Sequence, residues 1–192
     1  MLYIISQVLV AIGIVFDFIG RTTKTKKSII SFMVIASIFY VLSYFFLLRP
    51  LPAIFNALCI VRGVVFLYLD EKQKSLTPYI ITSIILLTLT CVSVAVYWNN
   101  VLDVFMIVSM LLLLFIFTFK NTLIIRLGLI GNFVLWMTYN FSLSAYVNMA
   151  SDTLQVIPTI ASLIWYDLIE PRKQDDFTKT TNKILEIIKS PI

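Results

Sequence analysis

Polar side chains recur between residues 148 and 162 at steps of four and three residues. They are Asn148, Asp152, Gln155, Thr159 and Ser162. This spacing places them on one face of an α-helix. Such a face could line a water-filled path that binds a polar solute, or it could form a hydrogen-bonded seam between helices. Pro158 lacks a backbone N–H, which predicts a kink that could act as a hinge.

Two other apolar segments carry polar and aromatic side chains. One of them contains Asn56, which lies at a depth similar to that of Asp152 if the segments of these two residues are helices that begin at the same membrane surface. The other segment contributes Asn132, Trp136, Tyr139 and Asn140. Trp and Tyr offer flat faces for stacking a ring, although packing or interface anchoring explains them equally well. We predict that these residues line a ligand site or a pore.

Asp17 and Arg62 are ionisable residues within apolar segments. A charge at the centre of a bilayer costs about 2.5–3.5 kcal/mol, so each needs a partner or a wet cavity. Their depths differ by about 6 Å at helical rise, which an Arg side chain can reach across. We predict a buried ion pair between them. A site for an anion or a carboxylate, and snorkelling of Arg62 to the interface, remain as alternatives.

Several kinds of chemistry are excluded by the residue types. The chain has no histidine, and its two cysteines, Cys59 and Cys91, lie in apolar runs. We therefore expect no metal site, no cofactor and no catalytic residues. The acidic residues are scattered singly, so we also expect no enzymatic activity. The net charge of +5 is explained by the positive-inside rule, without nucleic acid as a partner.

The composition predicts a helical protein of the membrane. Of the 192 residues, 60% are hydrophobic and 13% are charged, against about 25% charged in soluble domains. Segments such as 110–119 are apolar on every side, whereas strands of a membrane barrel alternate. The fold class is therefore all-α, with seven runs long enough to span a bilayer. These runs are 2–20, 28–48, 52–69, 78–98, 101–119, 123–141 and 145–168.

The basic residues predict the orientation of the chain. With seven spans, thirteen of them fall on one side and only Arg49 falls in a loop on the other. The thirteen are Arg21, Lys24, Lys26, Lys27, Lys72, Lys74, Lys120, Arg126, Arg172, Lys173, Lys179, Lys183 and Lys189. By the positive-inside rule the N-terminus lies outside and the C-terminus lies in the cytoplasm. Residues 172–192 then form a cytoplasmic tail, which suits a short amphipathic helix on the anionic leaflet.

An offset of 95 residues suggests an internal repeat. It aligns Ser43 and Tyr44 with Thr138 and Tyr139. The repeat predicts a 3+1+3 arrangement of parallel triplets within a transmembrane domain of residues 1–171. The first triplet is 1–75, the linker helix is 78–98 and the second triplet is 101–168.

Two stretches carry a resemblance to a known family. They are "VLSYFFLLRPLPAIFNALCIVRGVVFLY" (41–68) and "GNFVLWMTYNFSLSAYVNMASDTLQVIPTIASLIWYDL" (131–168). The first contains Tyr44, Asn56 and Arg62, where the family tends to show Asn followed by Arg on the third helix. The chain resembles the YgjV-type bacterial inner-membrane proteins, which are similar to the MtN3-like group of SWEET sugar facilitators and PQ-loop transporters.

The resemblance implies a 3+1+3 fold, an outside N-terminus and a solute site at Asn56 and at Ser151 or Asp152. The chain has no Pro-Gln pair, and its first, second, fifth and sixth spans lack proline. Sugar as the substrate and proline-hinged rocking are therefore not supported.

We expect a multi-pass protein of the bacterial inner membrane that transports a small polar solute. The alternative is a non-transporting membrane protein that binds a partner or lipid. Besides the lipid bilayer and a small polar solute, the sequence indicates no partner. It does not determine whether the protein forms a homo-oligomer.

Overall fold

The structure is a computed structural model that describes residues 2–72, 76–98, 100–142 and 146–170, without the side chains of residues 142 and 146–151. Within these ranges the chain forms helices and no strands. The helices are α1 (Leu2–Arg21), α2 (Lys26–Phe46), α3 (Pro50–Glu71), α4 (Leu76–Val96), α5 (Val104–Ile116), α6 (Thr122–Ser142) and α7 (Tyr146–Ser162). The predicted tail of residues 172–192 lies outside the described residues, as does the side chain of Asn148.

Local sequence signals explain where several helices begin. The side-chain oxygen of Thr25 accepts a hydrogen bond from the backbone N–H of Ser28 and caps α2. Pro50 occupies the first turn of α3, where a missing N–H costs little. A 3₁₀ turn, Val101–Asp103, leads into α5 and is held by a capping box between Asn100 and Asp103.

The helices follow the predicted apolar runs, with differences of a few residues at their ends. Five of them, α1, α2, α3, α4 and α6, are long and apolar enough to cross a membrane. The run at 101–119 is shorter than expected, because its α-helix ends at Ile116. The last run is divided: α7 ends at Ser162 and continues as a π-helix over Leu163–Ile169.

The helices pack mainly in chain order, and α7 returns to contact α1. The bundle is therefore closed into a ring, in which α4 packs mainly against α3 and α5. Large apolar side chains such as Ile84 and Leu89 on α4 are exposed on the outside. This is the arrangement that lipid requires, because an apolar outer surface then meets an apolar solvent. Polar side chains are left to face the interior of the ring.

Candidate functional site

A central cavity of about 120 Å³ lies inside the ring of helices. All of the helices except α4 contribute to its wall. A water molecule needs roughly 10–15 Å³ of such space, so the cavity has room for on the order of ten waters or one small solute. Eight of the residues singled out in the sequence line it: Asp17, Asn56, Arg62, Asn132, Trp136, Asn140, Asp152 and Gln155.

The remaining sequence candidates lie elsewhere. The hydroxyl of Tyr139 donates to Asp103 Oδ1 at 3.1 Å, at the start of α5. Thr159 is buried and donates to the backbone carbonyl of Gln155 on its own helix, at 2.8 Å. Pro158 lies within α7, next to Thr159. The polar face of α7 thus reaches the cavity wall through Asp152 and Gln155.

The ionic partner of Asp17 differs from the expected one. Asp17 Oδ2 lies 3.6 Å from Arg21 Nη2, one helical turn along α1, rather than beside Arg62. The sequence analysis placed Arg21 in a cytoplasmic loop, but the residue belongs to α1 and is only 5% exposed. An i,i+4 pair within one helix needs no interhelical packing to form, which explains why Arg21 prevails over the more distant Arg62.

Four polar residues from three helices form a closed network at one end of the cavity. Arg21 Nη2 donates to Gln155 Oε1 at 3.0 Å. Gln155 Nε2 lies 3.5 Å from the hydroxyl oxygen of Tyr40, which donates in turn to Asp17 Oδ2 at 3.2 Å. The Asp17–Arg21 ion pair completes the ring. This network joins α1 and α2 to α7 and therefore closes the bundle at this level.

Arg62 is buried against the wall of the cavity, and the part of the chain that the structure describes gives it no ionic partner. Its guanidinium carbon lies 5.0 Å from the centre of the Phe117 ring, on α5's C-terminal side. A cation over an aromatic face is stabilised without using its N–H groups. Among the described residues, no carboxylate lies within ion-pair distance, and the buried Nε and Nη1 atoms have no hydrogen-bond partner. Arg62 is only 3% exposed.

Asp152 marks another level of the cavity and is half-buried. Asn140 Nδ2 donates to its Oδ2 at 2.7 Å, linking α6 to α7. No Lys or Arg among the described residues lies within ion-pair distance of Asp152. Its carboxylate therefore keeps acceptor capacity toward the cavity, together with the amide of Asn56.

The α6 wall is fixed by a second set of hydrogen bonds. Ser109 Oγ donates to Asn132 Oδ1 at 2.6 Å and accepts from Trp136 Nε1 at 3.1 Å. The indole of Trp136 also meets the ring of Phe55 edge to face, with 5.2 Å between ring centres. Trp136 is thus held between α3, α5 and α6, and its polar atom is already bonded within the protein.

Further polar contacts join the loop between α1 and α2 to α6 and to the π-helical extension of α7, at the end of the bundle where α1 ends and α6 begins. Arg126 pairs with Asp167 and donates through Nη2 to the carbonyl oxygen of Thr23 at 2.7 Å. Lys24 pairs with Glu170. Arg126 is 1% exposed, although the sequence analysis counted it among the basic residues on the cytoplasmic side. Together with Arg21–Gln155, these contacts hold this end closed.

Sequence reasoning missed four cavity residues with polar or thiol side chains: Arg21, Ser37, Tyr40 and Cys59. Tyr44 also lines the cavity, although it was noted only as part of the repeat. A helical face would have found two of them, because Ser37, Tyr40 and Tyr44 recur at steps of three and four residues on α2. Within the described residues, no three His, Cys, Asp or Glu side chains are grouped in a way that could hold a metal ion.

The fold and the cavity define a polytopic helical membrane protein with a polar interior. The chain belongs to the Imp-YgjV family of bacterial inner membrane proteins, whose family model matches residues 4–166. Residues 41–68 and 131–166 of the two stretches that carried the resemblance fall within this match. No curated protein and no solved structure gives a significant match to the chain.

Proposed function

We propose that this protein carries a small polar solute across the bacterial inner membrane through its central cavity. The observation that carries the proposal is a polar cavity, with two arginines and two aspartates in its wall, enclosed by six helices. Ionisable residues are costly in a membrane interior and typically mark the path of a substrate or an ion. A protein that only needed a stable bundle would gain more by filling this space with apolar side chains.

The proposed mechanism is alternating access between two triplets, α1–α3 and α5–α7, with α4 as the linker. Adding 95 to the residue numbers of α2 reproduces the bounds of α6, and adding 95 to those of α3 reproduces the bounds of α7 with its π-helical extension, in each case to within three residues. The absence of α4 residues from the cavity wall also suits a linker. With the N-terminus outside, the Arg21–Gln155 contact faces the cytoplasm and acts as an inner gate. Opening it would expose the cavity to that side.

The two native cysteines give a direct test. Cys59 lines the cavity, whereas Cys91 lies on α4 and is exposed. Purified protein in liposomes is challenged with glycerol, urea, glycine or glucose as osmolyte, and vesicle volume is followed by light scattering. We expect faster entry of at least one solute than in protein-free liposomes. Alkylation should block this entry in Cys91→Ser, which keeps Cys59, and leave it unchanged in Cys59→Ser.

Two results would contradict the proposal. One is that no solute enters faster than in protein-free vesicles. The other is that alkylation of Cys59 occurs without any effect on an accelerated flux, which would place the solute path outside the cavity. The first result favours the alternative, a membrane protein that binds a partner or lipid without transport.

A further inference from the structure

Arg62 brings a charge to the cavity wall that its surroundings do not compensate. The side chain is almost fully buried and lines the cavity. Over the described ranges of the chain, no carboxylate comes within ion-pair distance of it, and its Nε and Nη1 atoms have no hydrogen-bond partner. Asp17, the carboxylate expected to pair with it, is compensated by Arg21 instead. A buried charge in a membrane protein needs a partner, so this part of the cavity lacks one negative charge.

The contact between Arg62 and Phe117 leaves the N–H groups of the guanidinium for a ligand. The guanidinium carbon lies 5.0 Å from the centre of the Phe117 ring. This contact uses the positive charge and none of the N–H groups. Those groups form a planar fork that matches the two oxygens of a carboxylate. Water could accept hydrogen bonds from the fork, but only an anion also neutralises the charge.

Two apolar side chains of the cavity wall, Leu113 and Met33, lie at the level of this arginine. Leu113 is one helical turn before Phe117, whose backbone N–H donates to its carbonyl oxygen. Met33 adjoins Val34, which packs closely against Gly63, the residue after the arginine. An inorganic anion would turn polar atoms toward these side chains, whereas an alkyl chain would bury apolar surface against them.

The other carboxylate without a nearby cation, Asp152, lies at a different level. Asp70 near the end of α3 and Glu170 beyond α7 bond to lysines two positions apart in the chain, so both helices end on the same side of the bundle. Counted back along the helices from these bonded residues, Arg62 lies about 12 Å away and Asp152 about 25 Å away. Coulomb energy falls with separation, so Asp152 adds little repulsion to an anion at Arg62.

We propose that the cavity binds a small monocarboxylate, with its carboxylate on Arg62 and its short alkyl chain against Met33 and Leu113. One negative charge compensates one guanidinium. A dianion such as sulfate would bring a second charge, whereas the other arginine of the cavity wall, Arg21, is already paired with Asp17. The volume of about 120 Å³ restricts the solute to a few carbon atoms. The inference rests on the proposed transport function and names the class of its solute.

The test measures equilibrium binding of radiolabelled propionate to the purified protein in detergent, at neutral pH and constant ionic strength, by scintillation proximity. The competitors are unlabelled propionate, propionamide, nitrate and sulfate at equal concentrations. Propionamide has the shape of propionate without its charge, nitrate is a planar monoanion without an alkyl chain, and sulfate carries two charges. We expect saturable binding of propionate, and we expect each of the other three to compete at least about tenfold more weakly than propionate, a difference of ~1.4 kcal/mol.

Three variants connect this binding to Arg62. Arg62→Met should abolish it, because the variant has no cation at this site. Arg62→Lys keeps a cation and loses the planar fork, so it should bind propionate with an affinity reduced at least about tenfold. This variant also separates loss of the site from misfolding of Arg62→Met. Lys27→Gln, which removes an exposed cation outside the cavity, should bind propionate like the parent.

Four results would overturn the inference. They are the absence of saturable propionate binding at millimolar concentrations, equal competition by propionamide, equal competition by nitrate or sulfate, and binding that survives Arg62→Met. Equal competition by the inorganic ions would replace the monocarboxylate by anions in general.

Flux measurements separate this inference from the proposed function. The solutes tested in liposomes then include lactate, because propionic acid itself crosses lipid. Binding of propionate without accelerated entry of any solute would keep the carboxylate site and remove transport. Accelerated entry of glycerol or glucose without propionate binding would keep transport and remove the carboxylate site.

Discussion

Arg21 on α1 donates a hydrogen bond to Gln155 on α7, with 3.0 Å between Nη2 and Oε1, across the seam where the first and last helices meet. The two residues are 134 positions apart in the chain. The contact lies at the cavity wall and connects the two proposed triplets. It therefore couples closure of the bundle to the chemistry of the cavity.

Replacing Gln155 by Leu should open this seam. The change removes the acceptor of Arg21 and the contact with Tyr40, and a hydrogen bond to a charged group contributes about 1.5–3 kcal/mol. Both proteins carry Cys91→Ser and are placed in vesicles of known orientation. We expect Cys59 in the Gln155→Leu variant to react with an impermeant thiol reagent, added on the side where α1 ends, roughly tenfold faster than Cys59 in the parent. Thr159→Val is the control, because the Thr159 hydroxyl donates to the backbone of its own helix. Equal rates in Gln155→Leu and the parent would argue against a gate.

Arg62 and Arg126 are both buried, yet their substitution by Met should have opposite effects on stability. Arg126 is paired with Asp167, so Arg126→Met leaves a buried carboxylate unmatched and should cost about 3–5 kcal/mol. Arg62 has no ionic partner among the described residues, so Arg62→Met relieves an uncompensated charge. We expect its Tm to stay the same or rise by a few degrees, as measured by intrinsic tryptophan fluorescence in detergent. A similar fall in Tm for both variants would show that Arg62 is a structural residue.

The helices and most of the polar cavity residues could be predicted from the sequence, since both depend on local patterns. Apolar runs of about 20 residues define spans, and a 3.6-residue period shows which face of α7 is polar. The partners of the charged residues could not be predicted in this way. For Asp17 the sequence analysis considered only Arg62, because it placed Arg21 in a loop, whereas α1 continues to Arg21 and brings it one turn from Asp17.

The same limit applies to the helix ends. Arg21 and Arg126 are at the boundaries of apolar runs, where a loop cation and a buried ion-pair member have the same sequence signature. Their burial is decided by Gln155, Asp167 and the backbone of Thr23, which come from distant parts of the chain. The orientation of the termini, the triplet arrangement and the transported solute remain predictions.

Pro158 should influence conformational exchange through α7. It cannot donate a backbone hydrogen bond to the carbonyl of Leu154, and the regular helix gives way to π-helical geometry five residues later. Pro158→Ala restores the missing N–H and should raise Tm by a few degrees while slowing solute flux in liposomes several-fold. Pro52→Ala is the control, because that proline is in the first turn of α3. Unchanged flux in Pro158→Ala would remove the hinge from the proposed mechanism.

Two glycines on α6 allow a matched test of helix packing. A Cβ atom on Gly128 would come within 2.2 Å of Ile116 Cγ2, whereas one on Gly131 would meet nothing closer than Leu112 Cδ2 at 3.6 Å. Ile116 is β-branched and buried, so its side chain cannot turn away. Gly128→Ala should therefore push α5 and α6 apart and cost about 1–3 kcal/mol, seen as a lower Tm. Gly131→Ala meets ordinary contact distances and gains helix propensity, so its Tm should be equal or higher. Equal losses in both variants would mean that backbone flexibility, rather than the close approach to Ile116, is what the glycines provide.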